Sequence, residues 1–448
     1  MRQPKDKQSK SLNLQIVNQN ADGIDIGDLQ ISVAVPPERD DVGIKEFGAF
    51  TNDLHAIAQW LEKCQIETVA MECTGVYWKN LFTILTQYGF EVCLVNARHT
   101  RNVSGRKTDE KDAQWIQRLH TCGLLSGCFL PDDLTQTLRT LVRQRRSLTQ
   151  DSTRYILRMQ KAMEMMNIKL HAVISNITGK TGTAIIEAII SGERKPENFI
   201  QFVDGRIKAN QETILKSLQA NWRSEQLFLL EQSYRMHLSV QQEIQLCEYQ
   251  IESALQTFTA STNQGIIEQK APEIKKRKTR NHPAFNTRAY LKSILGVDIL
   301  DIYGISEIGA LEILSETGTN LQKWPTEKHF VSWLNLCPNN KISGGKLISS
   351  HMLKKKPNPA SQAFRTAANT LQRSDHWLGD YFRRMKAKGG NKYAIVATSR
   401  KLAVIYYKMV RYKHPFQPFD NDEYKQKFQR TKIAYLERAL ARLKGDAA

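Results

Sequence analysis

Apolar and polar positions change rhythm along this chain of 448 residues. Between residues 22 and 130, short apolar runs alternate with segments of helical spacing. G-I-D-I followed by Q-I-S-V-A-V reads as two short strands joined by a turn at Gly27–Asp28. Leu54–Cys64 and Tyr77–Tyr88 carry helical spacing, whereas Glu67–Met71 and Glu91–Val95 read as buried strands. Thr108 is placed to cap a helix from Asp109 to about Leu119, with Asp109 at its positive end.

The rhythm becomes helical at Pro131–Asp132–Asp133, a helix-start signal. Leu134, Leu138, Leu141, Leu148, Tyr155, Met159 and Ala162 approximate a heptad seam that Arg145 and Ser152 interrupt. The run 205–258 is helical too, so 131–258 fits a coiled coil or helical hairpin; a packed bundle fits nearly as well. Residues 259–288 read as a basic linker containing K-K-R-K-T-R, 289–415 as a second, mainly helical domain, and 416–448 as a charged helix. Residues 1–21 form a polar arm.

Charge adds a partner to this layout. The formal net charge is +19, from 64 Lys and Arg against 45 Asp and Glu, and nucleic acid is the natural polyanion for such a surface. The first residues lack the apolar core of a signal peptide, and no uninterrupted apolar stretch approaches a membrane-spanning length. Seven Cys without a C-x-x-C pair argue against a disulfide framework and a structural zinc site, which fits a reducing cytoplasm.

Four acids stand where they are costly without a cation: Asp25 inside G-I-D-I, Glu72 at the end of T-V-A-M-E, and Asp109 with Asp112 in T-D-E-K-D-A. Helical spacing puts Asp109 and Asp112 on one face, and hard oxygen donors converging from strand ends suit Mg²⁺ or Mn²⁺. The plain alternative is that Asp109 caps its helix while Asp112 is solvated. A second candidate is Ser343 in N-K-I-S-G-G-K, where Gly344–Gly345 leave an open backbone and Lys341, Lys346, Lys354, Lys355 and Lys356 supply charge for a phosphate. Such a serine could attack phosphorus and conserve bond energy in a phosphoseryl link, although S-G-G alone reads more readily as a turn. Arg143, Arg145 and Arg146 are further candidates for nucleic-acid backbone contacts. G-I-S-E-I-G (304–309) reads as either a helix-hairpin-helix phosphate clamp or a tight interhelical turn.

G-I-D-I, M-E-C-T-G-V-Y-W, K-T-D-E-K-D-A, G-I-S-E-I-G and P-N-N-K-I-S-G-G-K together resemble the DEDD-type insertion-sequence transposases, the bridge-RNA-guided recombinases, over roughly 22–130 and 290–410. The resemblance implies an α/β RuvC-like first domain of RNase H fold, with Asp25, Glu72, Asp109 and Asp112 as an Mg²⁺-binding tetrad. It also implies a helical transposase domain with Ser343 as nucleophile. Its implied partners are donor and target DNA, an element-encoded guide RNA, and further copies of the chain in a dimer or tetramer, with tetrad and serine supplied by different protomers. The implied setting is a bacterial or archaeal cytoplasm, at the nucleoid. Two positions depart from the family pattern: Gly27–Asp28 stand where Ser-Lys often follows the first motif, and K-K-K-P-N-P-A-S lacks the glycine expected after the serine motif. The competing expectations are a junction-resolving nuclease that uses the tetrad and water, and a non-catalytic nucleic-acid-binding scaffold.

Overall fold

The computed structural model describes residues 15–73, 75–96, 109–261, 281–353 and 358–445. The chain divides into two compact units, Met1–Leu130 and Pro131–Ala448.

The first unit is built on a five-stranded mixed sheet. Its strands are β1 (Ala21–Ile26), β2 (Gln30–Ala34), β3 (Ile44–Gly48), β4 (Thr68–Glu72) and β5 (Glu91–Val95), in the order β3-β2-β1-β4-β5. β1–β2 and β2–β3 are antiparallel, whereas β1–β4 and β4–β5 are parallel. The helices are α1 (Thr51–Lys63), α2 (Trp78–Gln87) and α3 (Asp109–Thr121). Strand residues alternate between faces. Ile24, Ile31, Val33, Val69 and Met71 form one face, buried in a core with Leu54, Ile57 and Leu61 of α1 and Leu81 and Leu85 of α2. β3 escaped the sequence reading because it is an edge strand, I-K-E-F-G, with no fully buried residue and hence a weak alternation.

The opposite face carries Gly23, Asp25, Ala70 and Glu72 and is covered by α3. A Cβ on Gly23 would lie 2.2 Å from the Gln117 backbone N and 2.5 Å from the Ala113 carbonyl oxygen, so helix and strand meet backbone to backbone. Gln117 Nε2 donates to the Ala21 carbonyl at 3.4 Å, and His120 Nε2 pairs with Thr68 Oγ1 at 2.9 Å. His120 is a structural residue here, and burial lowers the pKa of its imidazole.

The second unit is mostly helical. α4 (Asp133–Met165) starts at Asp132, whose carboxylate accepts from the Thr135 N–H, and packs along α7 (Ser224–Ser261). The two run antiparallel: Arg145 meets Glu248, while Ser152 meets His237 and Gln241. Between them, residues 166–223 fold around an apolar cluster of Ile168, Leu170, Ile185, Ile189 and Phe199. Two helices of that insert are α5 (Lys180–Ile190) and α6 (Gln211–Leu218).

The inward positions of α4 are Leu138, Val142, Arg145, Ser152, Ile156, Met159 and Met163. They recur every three or four residues, with one step of seven between Arg145 and Ser152, but one place over from much of the expected seam. Leu134, Leu141, Leu148 and Tyr155 are only half-buried. Arg145 and Ser152 do not break the stripe; they belong to it. Each is answered by polar groups on α7, which settles the cost of burying it.

The C-terminal part holds α8 (Thr287–Leu295), α9 (Glu307–Thr317), α10 (Glu327–Trp333), α11 (Pro359–Thr370), α12 (Trp377–Tyr412) and α13 (Asn421–Gly445). Its core is aromatic: Phe330, Phe364, Tyr406 and Tyr407 are fully buried, and the Tyr407 hydroxyl donates to the Trp324 carbonyl at 2.7 Å. A two-stranded hairpin, β6 (Asn339–Ser343) and β7 (Lys346–His351), leaves this helical body. K-K-R-K-T-R (275–280) lies outside the described residues. Among the described residues no helix is long and apolar enough to cross a membrane.

Candidate functional site

Asp25 and Glu72 sit at the carboxyl ends of parallel neighbours. The register pairs Ile24 with Met71, so the next residue on each strand is one of the two acids. Both face α3, and neighbouring strands lie about 4.8 Å apart. Each carboxylate is half-buried.

The direction of α3 sets where its own acids fall. Gln117 lies against Ala21 and Ala113 against Gly23, so the helix runs antiparallel to β1. Another turn back toward the helix start, at Asp109–Asp112, reaches the level of Asp25. Asp112 is half-buried there; Asp109 opens the helix, and its side chain lies outside the described residues. Strand register and helix direction therefore bring the backbone positions of all four acids to one end of the sheet. Among the described residues, no three His, Cys, Asp or Glu side chains stand close enough to form a complete cage for a metal ion. The donors suit Mg²⁺ or Mn²⁺ in kind. Mg²⁺ in particular takes one or two carboxylates, and water or phosphate supplies its remaining oxygens.

Ser343 lies in the second unit, as the last residue of β6, paired with Lys346. Gly344 and Gly345 connect the strands with φ of +54° and +74°. Positive φ at both central residues makes a tight hairpin turn that favours glycine, so S-G-G is a defined turn and not a slack loop. The segment 339–348 is exposed throughout, and Lys341, Ser343 and Lys346 are open to solvent. Ile342, Leu347 and Ile348 are also exposed, which is unusual for a hairpin this small. Lys354, Lys355 and Lys356 lie outside the described residues.

G-I-S-E-I-G forms an interhelical turn leading into α9. Gly304 has φ +84° and packs against the Ala367 carbonyl oxygen, while Ser306 caps α9 by accepting from the Gly309 N–H at 3.2 Å.

The arginines expected on nucleic acid are otherwise engaged. Arg143 makes a two-pronged contact with Glu316, at 2.7 and 2.9 Å. Arg145 is buried and bonds Glu248 at 2.8 and 2.5 Å and the Asn281 carbonyl at 3.0 Å. Arg146 lies 3.6 Å from Glu312, whose pKa burial raises against the pull of Arg146 and Arg145. These residues join α4 to α7 and α9. Sequence spacing could not reveal this, because the partner acids lie about a hundred residues away or more.

Two family models match the chain. The IS110 DEDD transposase model, described as a transposase, matches residues 23–168. A model described as "Transposase IS116/IS110/IS902 family" matches residues 298–383. Together they span just over half of the chain. The first includes Asp25, Glu72, Asp109 and Asp112, and the second includes Ser343. No curated protein matches significantly.

Proposed function

Because this chain belongs to the IS110 transposases and is a DNA transposase of a mobile element, we propose that it is an RNA-guided recombinase that cuts and rejoins donor and target DNA through Ser343. The observation that carries this reading is the convergence of the four acid positions at one end of a sheet, in a chain that also presents an exposed serine between lysines on a tight hairpin. The strand order β3-β2-β1-β4-β5, with three antiparallel and two parallel strands, supports a RuvC-like reading of the first unit.

In this reading, Asp25, Glu72, Asp109 and Asp112 hold Mg²⁺. When bound, the ion supplies positive charge for the phosphate oxygens. Ser343 Oγ attacks phosphorus and a DNA strand end leaves, which creates the phosphoseryl link; a second strand end later displaces the serine and rejoins the DNA. Lys341, two residues before the serine on β6, and Lys346, paired with it on β7, neutralise the phosphate as it approaches. The two-glycine turn fixes the Ser343 backbone, so less orientation has to be gained during the reaction.

The helix pair α4–α7 serves as a coiled-coil arm. The exposed Ile342, Leu347 and Ile348 support a hairpin that is covered in use, as expected if tetrad and serine come from different protomers of a dimer or tetramer. Guide RNA, DNA and a cytoplasmic, nucleoid setting complete the assignment.

The test is strand exchange between element-end and target DNA with RNA transcribed from the element's flanks. Ser343→Ala and Glu72→Gln are each expected to reduce exchange by at least about a thousandfold, the scale of losing a member of a catalytic set. If Ser343→Ala still cuts while Glu72→Gln does not, the chain is a water-using nuclease instead.

A further inference from the structure

α12 is not one helix. Gly389 (φ −147°, ψ 16°) and Gly390 (φ +80°, ψ −179°) are non-helical, and the second needs a glycine. Along a straight helix, Tyr381 and Lys401 would stand roughly 30 Å apart at 1.5 Å per residue. The break folds the chain back. The Arg384 guanidinium lies 5.4 Å from the Tyr381 ring centre and the Lys401 ammonium 6.0 Å from the same centre.

Arg384 is held from other sides too. Its guanidinium lies 4.3 Å from the Phe428 ring centre and 5.5 Å from that of Tyr424, both on α13. One Nη donates to the Tyr424 hydroxyl at 2.7 Å, and the remaining N–H donors have no partner among the described residues. The nearby carboxylate, Asp380, is taken by Arg383 at 2.5 Å. Among the described residues no carboxylate pairs with Arg384, Arg400, Lys401 or Lys408. Such grouped cations are costly unless an anion visits them.

We propose that Arg384 and Lys401, with Arg400 and Lys408 beside them, form a binding site for the backbone phosphates of nucleic acid, built by the Gly389–Gly390 break and steadied by α13. Desolvation chiefly, and then the like charges of Lys408 and Arg384, lower the pKa of the Lys401 ammonium. An arginine clamped between rings is pre-ordered, so little side-chain entropy is lost when phosphate binds. The rings are spent on the arginine, so the site holds backbone and reads no sequence. The inference rests on the transposase reading but concerns binding alone, and its test needs no catalysis.

Full-length chain is titrated with a random-sequence DNA duplex and, separately, with a structured RNA, in EDTA over a salt series. Lys401→Gln and the double variant Arg384→Gln/Lys401→Gln are compared with Lys208→Gln/Arg223→Gln, which removes the same charge from the exposed insert between α4 and α7. For a duplex, the double variant should reduce the slope of log affinity against log salt by about 1.8 and the single variant by about 0.9. At 0.15 M salt the double variant should bind roughly thirtyfold more weakly. The nucleic acid that shows the loss is the one held there. Lys401→Gln leaves the ring cage of Arg384 intact, so it remains informative if α13 loosens in the double variant. An unchanged slope for both nucleic acids, or an equal fall in the control pair, overturns the proposal.

Discussion

Asp22 stands three residues before Asp25 but on the opposite face of β1, within the apolar core. It is fully buried, and neither carboxylate oxygen has a hydrogen bond. Burial holds its pKa well above the ordinary carboxylate range, and the nearby Ala70 amide opposes this only in part. The sign follows from linkage: the folded chain binds this proton more tightly than the unfolded chain does. The stability tied to Asp22 is therefore present below its unfolded pKa, about 3.9, and is lost as pH rises through the interval up to the folded pKa. Asp22→Val should stabilise the first unit by about 1–3 kcal/mol at pH 7. Denaturant melts between pH 4 and 8 should show the gap between variant and parent widening with pH; a gap independent of pH would mean that Asp22 is not protonated. The sequence shows why one aspartate in A-D-G-I-D-I lies beside Glu72 and the other does not: strand alternation puts positions 22 and 25 on opposite faces. That much was legible from spacing. The raised pKa of Asp22 was not, because it depends on how completely the folded unit buries the carboxyl group.

At the scale of elements, the α4–α7 pair carries polar groups where apolar ones would seat more simply. Arg145 and Glu248 form a buried ion pair, and Glu248 also accepts from the Ala284 N–H at 2.9 Å. Removing one partner strands a charge, so Glu248→Leu should cost about 3–5 kcal/mol, whereas Arg145→Met with Glu248→Leu should be near neutral. A double-mutant cycle on equilibrium unfolding reads the coupling; additive losses would show that the two side chains act separately. The helices and the strands that cross the centre of the sheet were legible because their apolar periods are strong. The edge strand β3 and the exact stripe of α4 were not. β3 buries little, and polar residues on an interior stripe look like interruptions until their partners are seen. The carboxylate partners of Arg143, Arg145 and Arg146 were hidden for the same reason: a local run of cations says nothing of acids supplied by distant helices.

At the scale of the whole molecule, two units each hold part of the proposed chemistry. Asp25, Glu72, Asp109 and Asp112 belong to the first, and Ser343 to the second. The four acids drew notice in the sequence because each lies at or near the end of an element of strong pattern. The glycines after Ser343 marked a turn, and its hairpin needed the structure, since Asn339–Ser343 has no buried face to impose alternation. The central claim is that Ser343 becomes joined to DNA. The most direct measurement is to quench the chain with element-end DNA and guide RNA during reaction, digest it, and map any peptide–nucleotide adduct by mass spectrometry. The account predicts an adduct on the peptide containing Ser343, absent in Ser343→Ala and strongly reduced in Glu72→Gln. Cut and rejoined DNA with no adduct at Ser343, or with the adduct on another residue, would contradict it.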